Sequence, residues 1–194
     1  MEIVKNIESI TDEELVQGCI ECNEAARSQL YTKYSRSIMG VCLRYAASKP
    51  EAEDYFQDGF IKIFNKIHLY NYKGPLGAWM RRTVINNILD CMRKDKRESK
   101  HEGLYLKDNK YLDESYNDFE IDGIEKLNEK KILEMVQTLP TGYRTVFNMY
   151  AIEEMPHKEI AEKLGITEST SKTQYKKAKE QLRKLVNVEL KKIM

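Results

Sequence analysis

The sequence predicts an all-α protein: two small helical domains joined by an acidic linker, the C-terminal one a helix-turn-helix. Three observations predict it. Apolar residues recur every three or four positions in each patterned segment, and each segment is bounded by a capping residue, a glycine or a proline. Between Lys100 and about Ile124 the periodicity is weak, acids are frequent and two glycines occur, which reads as a linker despite Tyr105, Tyr111, Tyr116 and Phe119. Near the C-terminus, Pro156-His157-Lys158-Glu159-Ile160-Ala161-Glu162-Lys163-Leu164-Gly165-Ile166-Thr167 runs into a basic segment with helical spacing.

The elements follow in order. Thr11-Asp12-Glu13-Glu14 is a capping box that starts a first helix, with Leu15, Val16 and Ile20 on one side. Leu30, Tyr34, Ile38, Cys42 and Tyr45 form the stripe of a second, which Ser48-Lys49-Pro50 breaks because proline disfavours helix in the residue before it. Pro50 opens the third, where Ala52, Phe56, Phe60, Ile63, Phe64 and Ile67 are the apolar side and Asn71 to Pro75 the closing turn. A fourth runs from about Gly77 to Lys96, with Val84, Ile85, Ile88, Leu89 and Met92 as its apolar side. These four make a compact bundle. After the linker a helix containing Ile132, Leu133 and Val136 leads to Leu139-Pro140, and Tyr143, Val146, Phe147 and Tyr150 mark the next. Domains are thus expected at residues 1–99 and 127–194, with the linker at 100–126.

Composition excludes several classes. The 194 residues are 41% hydrophobic and 32% charged, against roughly 25% charged for an average soluble domain, so the chain is globular with a very polar surface. No run approaches the roughly 20 apolar residues of a membrane span, and the start MEIVKNIES has no apolar signal stretch, so a cytoplasmic protein without membrane insertion is expected. Four cysteines at 19, 22, 42 and 91 are too few and too scattered for a disulfide framework. Cys19 and Cys22 form a CxxC, but residues three apart share a helix face, and core or boundary thiols are the plain reading beside metal or redox work. His68, His101 and His157 are scattered, no carboxylates pair by spacing and no phosphate-cradling glycine loop occurs. No catalytic residue, cofactor or metal is expected. The net charge is only +1, yet it is unevenly spread: eight acids face two bases from Asp108 to Glu129, and eight bases face two acids from Lys172 to Lys192.

Each residue of the helix-turn-helix string has a mechanical reason. Pro156 suits the first helical position, Ala161 is small where two helices approach, Gly165 permits a positive φ, and Ile160, Leu164 and Ile166 fill the space between. Thr167 can cap a second helix whose buried side is Tyr175, Ala178, Leu182 and Leu185. Ser169, Thr170, Lys172, Thr173, Lys176 and Lys177 are left near its exposed N-terminal half, where a recognition helix meets base edges and phosphates.

Read with the N-terminal strings, the chain resembles the extracytoplasmic-function sigma factors of bacterial RNA polymerase over nearly its whole length. The strings that carry the resemblance are Leu30-Tyr31-Thr32-Lys33-Tyr34, Ala52 to Phe64 (AEDYFQDGFIKIF), Gly77 to Asn86 (GAWMRRTVIN) with Asp90 and Arg93, and Leu139 to Phe147 (LPTGYRTVF) before the helix-turn-helix. The resemblance implies an alternative sigma factor that binds core RNA polymerase and promoter DNA and promotes DNA opening. Asp54, Gln57, Asp58 and Lys62 would dock on the clamp helices of the largest subunit, and the flap region would be a further polymerase contact. The turn Tyr70 to Leu76 and the helix after it would read the minus-ten element, with Asn86 holding an extruded base, Tyr70 and Tyr72 stacking, and Arg81, Arg82, Arg93, Lys94 and Arg97 on phosphates. Trp79 is expected as a packing anchor. Arg144, Ser169, Thr170, Lys172, Thr173, Lys176 and Lys177 would meet the minus-thirty-five element. An anti-sigma protein is a further partner that the resemblance leaves open. The acidic linker would thread toward the RNA exit path and mimic nucleic acid there, the alternative being a soluble tether. Ser171 stands where the family commonly has a branched apolar residue and Tyr175 where it has a leucine-like one, so a shifted pitch of the recognition helix is expected. The competing reading is a free-standing helix-turn-helix regulator that binds duplex DNA without polymerase.

Overall fold

The computed structural model describes residues 11–98 and 127–193; the expected linker, and with it the acidic run and its tyrosines, lies outside the described residues. All regular structure among the described residues is helical: α1 Asp12–Ile20, α2 Glu24–Tyr45, α3 Lys49–Lys66, a 3-10 turn Ile67–Leu69, α4 Leu76–Glu98, α5 Glu129–Gln137, α6 Thr141–Phe147, a π-helical turn Asn148–Ile152, α7 His157–Leu164 and α8 Glu168–Ile193. They fall into two compact units, one within residues 11–42 and 49–91, the other within 43–48, 92–98 and 127–193.

In the first unit the Thr11 capping box forms as its residue types dictate: the Thr11 hydroxyl accepts from the Glu14 amide at 3.2 Å, and the Glu14 carboxylate accepts from the Thr11 amide at 2.9 Å. α1 ends in two crossed backbone bonds, Asn23 N–H to Gly18 O at 2.9 Å and Cys22 N–H to Cys19 O at 3.2 Å. This closing pattern puts its pivot residue in the left-handed region, normally a glycine. Here the pivot is Cys22, at φ 60, a conformation that costs a residue with a Cβ about 1–2 kcal/mol. α2 starts earlier than its stripe suggested, because Asn23 caps it through Oδ1, accepting from the Ala26 amide at 3.1 Å.

Two links seat α1. Leu15, Val16 and Cys19 are buried, and Tyr34 donates its hydroxyl to Asp12 at 2.7 Å while Lys33 pairs with the same carboxylate at 2.8 Å. Partial burial raises the Asp12 carboxyl, but the bonds from Lys33 and Tyr34 outweigh it and hold the group below the usual range. Burial and the Asp12 charge push the Tyr34 phenol far up. The core proper is the expected stripe set: Leu30, Ile38, Cys42, Ala52, Phe56, Phe60, Ile63, Val84, Ile88 and Leu89 are buried. A large aliphatic or aromatic side chain taken from water contributes about 1.5–3 kcal/mol, so this stripe is where the unit's stability lies. Gly59 lets α3 and α4 approach, since a Cβ there would lie 3.0 Å from a Val84 methyl.

In the second unit α8 is the central element. Ala178, Leu182 and Val186 bury against Met135, Val136, Leu139 and Tyr143. The helix expected through Tyr150 changes its winding after Phe147. Asn148 sends its side-chain amide to the Arg144 carbonyl at 2.9 Å, and the Glu153 amide reaches back five residues to Asn148 O at 3.0 Å. A side chain inserted into the helical ladder is a common cause of such a turn. α7 ends at Gly165, left-handed at φ 64, and Thr167 caps α8 by accepting from the Thr170 amide at 3.0 Å. Pro156 sits one position earlier than expected, at the cap.

Candidate nucleic-acid interface

The turn between the 3-10 segment and α4 is built by an aromatic group. Tyr70 is buried, its hydroxyl donates to the Gly74 carbonyl at 2.6 Å, and its ring lies 4.9 Å from Tyr72 and 5.7 Å from Trp79. Tyr70 therefore shapes the turn, while Tyr72, at φ 60 and 48% exposed, presents an open ring. Trp79 is half-buried; the start of α4 is anchored by the fully buried Leu76 and Met80, so the packing role expected of the indole falls largely to them.

Along α4, Trp79, Arg82, Thr83, Asn86, Asp90 and Arg93 recur at the spacing of one helix face, and none of them is buried. Asn86 is exposed although Val84, Ile85, Asn87 and Ile88 around it are buried. Arg81 and Lys94 are also exposed. Arg97 belongs to the last turns of α4, and its side chain lies outside the described residues.

On α3, Asp54, Gln57, Asp58 and Lys62 are all exposed and share a face. Ile61 stands among them, 57% exposed. The sequence did carry a signal for it: at position 61 an apolar residue falls out of phase with the core stripe and in phase with the polar one.

On the recognition helix α8, Ser169, Lys172 and Lys176 are exposed, and Thr170 and Lys177 are half-buried. Lys172 pairs with Glu168 at 2.7 Å across an exposed helix turn, an interaction weak enough to be exchanged for a phosphate. Two expectations are corrected. Thr173 is buried and spends its hydroxyl on the Ser169 carbonyl at 2.8 Å. Arg144 is 2% exposed, with Nη1 donating to the carbonyls of Gln137 and Leu139, both at 2.9 Å, so it ties the α5–α6 turn together and presents no charge to DNA. Sequence spacing could not reveal this, because a guanidinium that serves backbone carbonyls looks the same as one that serves phosphates.

At Ser171 and Tyr175, where the family pattern is broken, the side-chain packing is specific. Ser171 is buried and its hydroxyl meets His157 Nδ1 at 2.9 Å; Tyr175 packs 4.5 Å from Tyr150, whose ring stacks on His157 at 4.2 Å. A hydrogen-bonded, aromatic filling stands where branched aliphatics would. Burial, with the positive charge of Lys172 added, holds the His157 imidazole below its ordinary pKa, so the ring is neutral near pH 7. Of the CxxC pair, Cys19 is core and Cys22 is exposed. Among the described residues no three or more His, Cys, Asp or Glu converge as metal ligands, and no helix is long and apolar enough to cross a membrane.

Comparison with known proteins matches both units to parts of one architecture. The family described as Sigma-70 region 2 matches residues 30–98, and that described as Sigma-70, region 4 matches residues 129–182. The extracytoplasmic-function (ECF) RNA polymerase sigma factor SigW of Bacillus subtilis is 30% identical over 160 residues, covering 78% of this chain and 83% of that protein. The ECF RNA polymerase sigma-E factor of Haemophilus influenzae is 21% identical over 180 residues, 90% of this chain and 95% of that one. Among solved structures, the sigma factor RpoE in complex with the anti-sigma factor NepR from Bartonella quintana matches with a TM-score of 0.50 at 18% identity, over 83% of this chain and 96% of that one, a likeness of fold.

Proposed function

We propose a division of labour for the surfaces of this chain, which belongs to the ECF family of RNA polymerase sigma factors. It is an alternative sigma factor for transcription initiation, and its partners are core RNA polymerase and promoter DNA. A free-standing helix-turn-helix regulator is disfavoured, because such a protein has no need of a region 2 unit.

In our reading residues 1–99 dock on polymerase and open the minus-ten element, residues 100–126 are the linker, and residues 127–194 read the minus-thirty-five element. The α3 face of Asp54, Gln57, Asp58, Ile61 and Lys62 meets the polymerase clamp, where an exposed isoleucine ringed by polar groups has the make-up of an interface anchor. Tyr72 and Asn86 receive an extruded base, and Arg81, Arg82, Arg93 and Lys94 hold phosphates. Ser169, Thr170, Lys172, Lys176 and Lys177 face the upstream duplex. The protein works in the cytoplasm and by binding, shifting polymerase toward the open complex without bond chemistry of its own. An anti-sigma protein covering the docking face is a further expected partner, in keeping with the solved relative captured with one.

The observation that carries the reading is Asn86, an exposed amide on a face whose flanking positions are core. Unstacking a base costs a few kcal/mol, and an amide reaches the Watson–Crick edge only after the base has left the stack. Asn86→Ala should therefore impair open-complex formation more than closed-complex binding, and a premelted template should restore activity without restoring base preference at that position. Permanganate footprinting with transcription on duplex and bubble templates is the measurement. Equal losses on both templates with unchanged base preference would assign Asn86 to the helix alone.

A further inference from the structure

The CxxC lies N-terminal to the region 2 match, and none of the surface roles proposed above uses it. Cys22 is exposed, and Arg27 donates from Nη2 to its Sγ at 3.4 Å. The guanidinium carbon of Arg27 lies 5.7 Å from the centre of the Phe64 ring, which holds the group in place, and its Nε is buried without a hydrogen-bond partner among the described residues. An exposed cysteine thus sits beside the guanidinium of Arg27, on the other side of a tight turn from a second thiol. The Cys22 N–H to Cys19 O bond closes a four-residue turn, i+3 to i. Such turns keep their end Cα atoms within about 7 Å, and a disulfide spans about 4.4–6.8 Å between Cα atoms.

We propose that Cys22 and Cys19 form a hydroperoxide-reactive thiol pair. The Cys22 sulfur attacks one peroxide oxygen; the O–O bond breaks, the departing oxygen takes up the proton the thiol gives up and leaves as alcohol or water, and Cys22 becomes a sulfenic acid. The Arg27 Nη2 group, which already meets the sulfur, faces the oxygen on which charge develops. The Cys19 sulfur next attacks the Cys22 sulfur, the S–O bond breaks, and water leaves with the Cys19 proton. The sum is two thiols and one hydroperoxide to one disulfide, one alcohol or water molecule, and one water. Burial pushes the Cys19 thiol up, which suits the second role, since it stays protonated until the sulfenic acid has formed. Because Cys19 is only 2% exposed, its sulfur must leave the core to make the bond. Oxidation therefore loosens the end of α1, a helix that packs against the 3-10 segment leading to the Tyr70 turn.

The test uses the full chain and hydrogen peroxide, read by intact mass and peptide mapping. Expected are a loss of two hydrogens, a Cys19–Cys22 crosslinked peptide, reversal by dithiothreitol and a melting temperature lowered by several degrees. Cys19→Ala should stop at a dimedone-trappable sulfenic acid on Cys22. Arg27→Gln should slow oxidation of Cys22 several-fold. Cys22→Gly, which puts the residue best suited to φ 60 at the pivot, should keep the fold and form no crosslink. Peroxide that leaves Cys22 reduced while Cys42 or Cys91 reacts, or a Cys22 rate indifferent to Arg27, would overturn the proposal.

Discussion

His157 shows how one side chain trades an apolar contact for a conditional one. It is the first residue of α7, stacked on Tyr150, edge-on to Tyr175 at 5.8 Å and bonded to Ser171, with Lys172 and Glu168 as the charges that act on it. Its pKa is lower folded than unfolded, so in the window between the two values the unfolded chain binds the extra proton. Stability therefore rises with pH there, and is lost as pH falls from about 6.5 toward the depressed folded value. Urea unfolding at pH 7.5 and 5.5 should show this loss, and His157→Gln should flatten it. The carboxyls of Asp12, Glu14, Glu168 and Glu189, all held below their usual range, withdraw their contributions only in more acidic solution. A wild-type profile flat between those two pH values would contradict the buried neutral ring.

At the scale of the element, α3 carries two faces with opposite requirements. Ile63 is fully buried and Ile61 is open, two positions apart on the same helix. Truncating Ile63 to alanine should cost about 2–5 kcal/mol of stability through the cavity it leaves. Ile61→Ala should leave unfolding nearly unchanged and weaken core polymerase binding by about tenfold, the loss of a modest interface anchor. Asp58→Arg should add to that loss by reversing a charge on the same face. Competition binding against core polymerase, with helicity checked by circular dichroism, separates the two faces. Unchanged affinity in both Ile61→Ala and Asp58→Arg would remove α3 from the docking surface.

At the scale of the whole molecule, two helical units have to be reconciled with a net charge of only +1. Affinity for DNA then depends on local sets of cations rather than on overall charge. Lys172→Ala and Lys177→Ala should each weaken minus-thirty-five binding of the holoenzyme at every sequence, and each should lower the salt slope by about one. Binding titrations on a mapped promoter across salt concentrations measure both. A slope unchanged in the double variant would place these lysines off the phosphates.

Much of this protein is written in local chemistry. Helical periodicity, the Thr11 capping box, the glycine at 165 and the phase of the α3 stripe follow from interactions within a few residues, so the helices, most of their inner faces and the family were legible in the sequence alone. Ile20, expected inside, is exposed, and Val186 rather than Leu185 is the fully buried residue at that turn of α8. The CxxC was visible too, though without the turn its two thiols read as ordinary core or boundary residues. Contacts between elements decided the rest. Arg144 is the one base between Leu139 and Phe147 and is consumed by the carbonyls of Gln137 and Leu139; Thr173 points its hydroxyl at its own helix; Tyr70 supports the turn on which Tyr72 is displayed. Arg27 reaches Cys22 only because Asn23 starts α2 where it does. A side chain's charge and size are properties of its own residue, but its partner is a property of the fold. Buried polar groups must find hydrogen bonds wherever the packed chain offers them, and that choice is made in three dimensions.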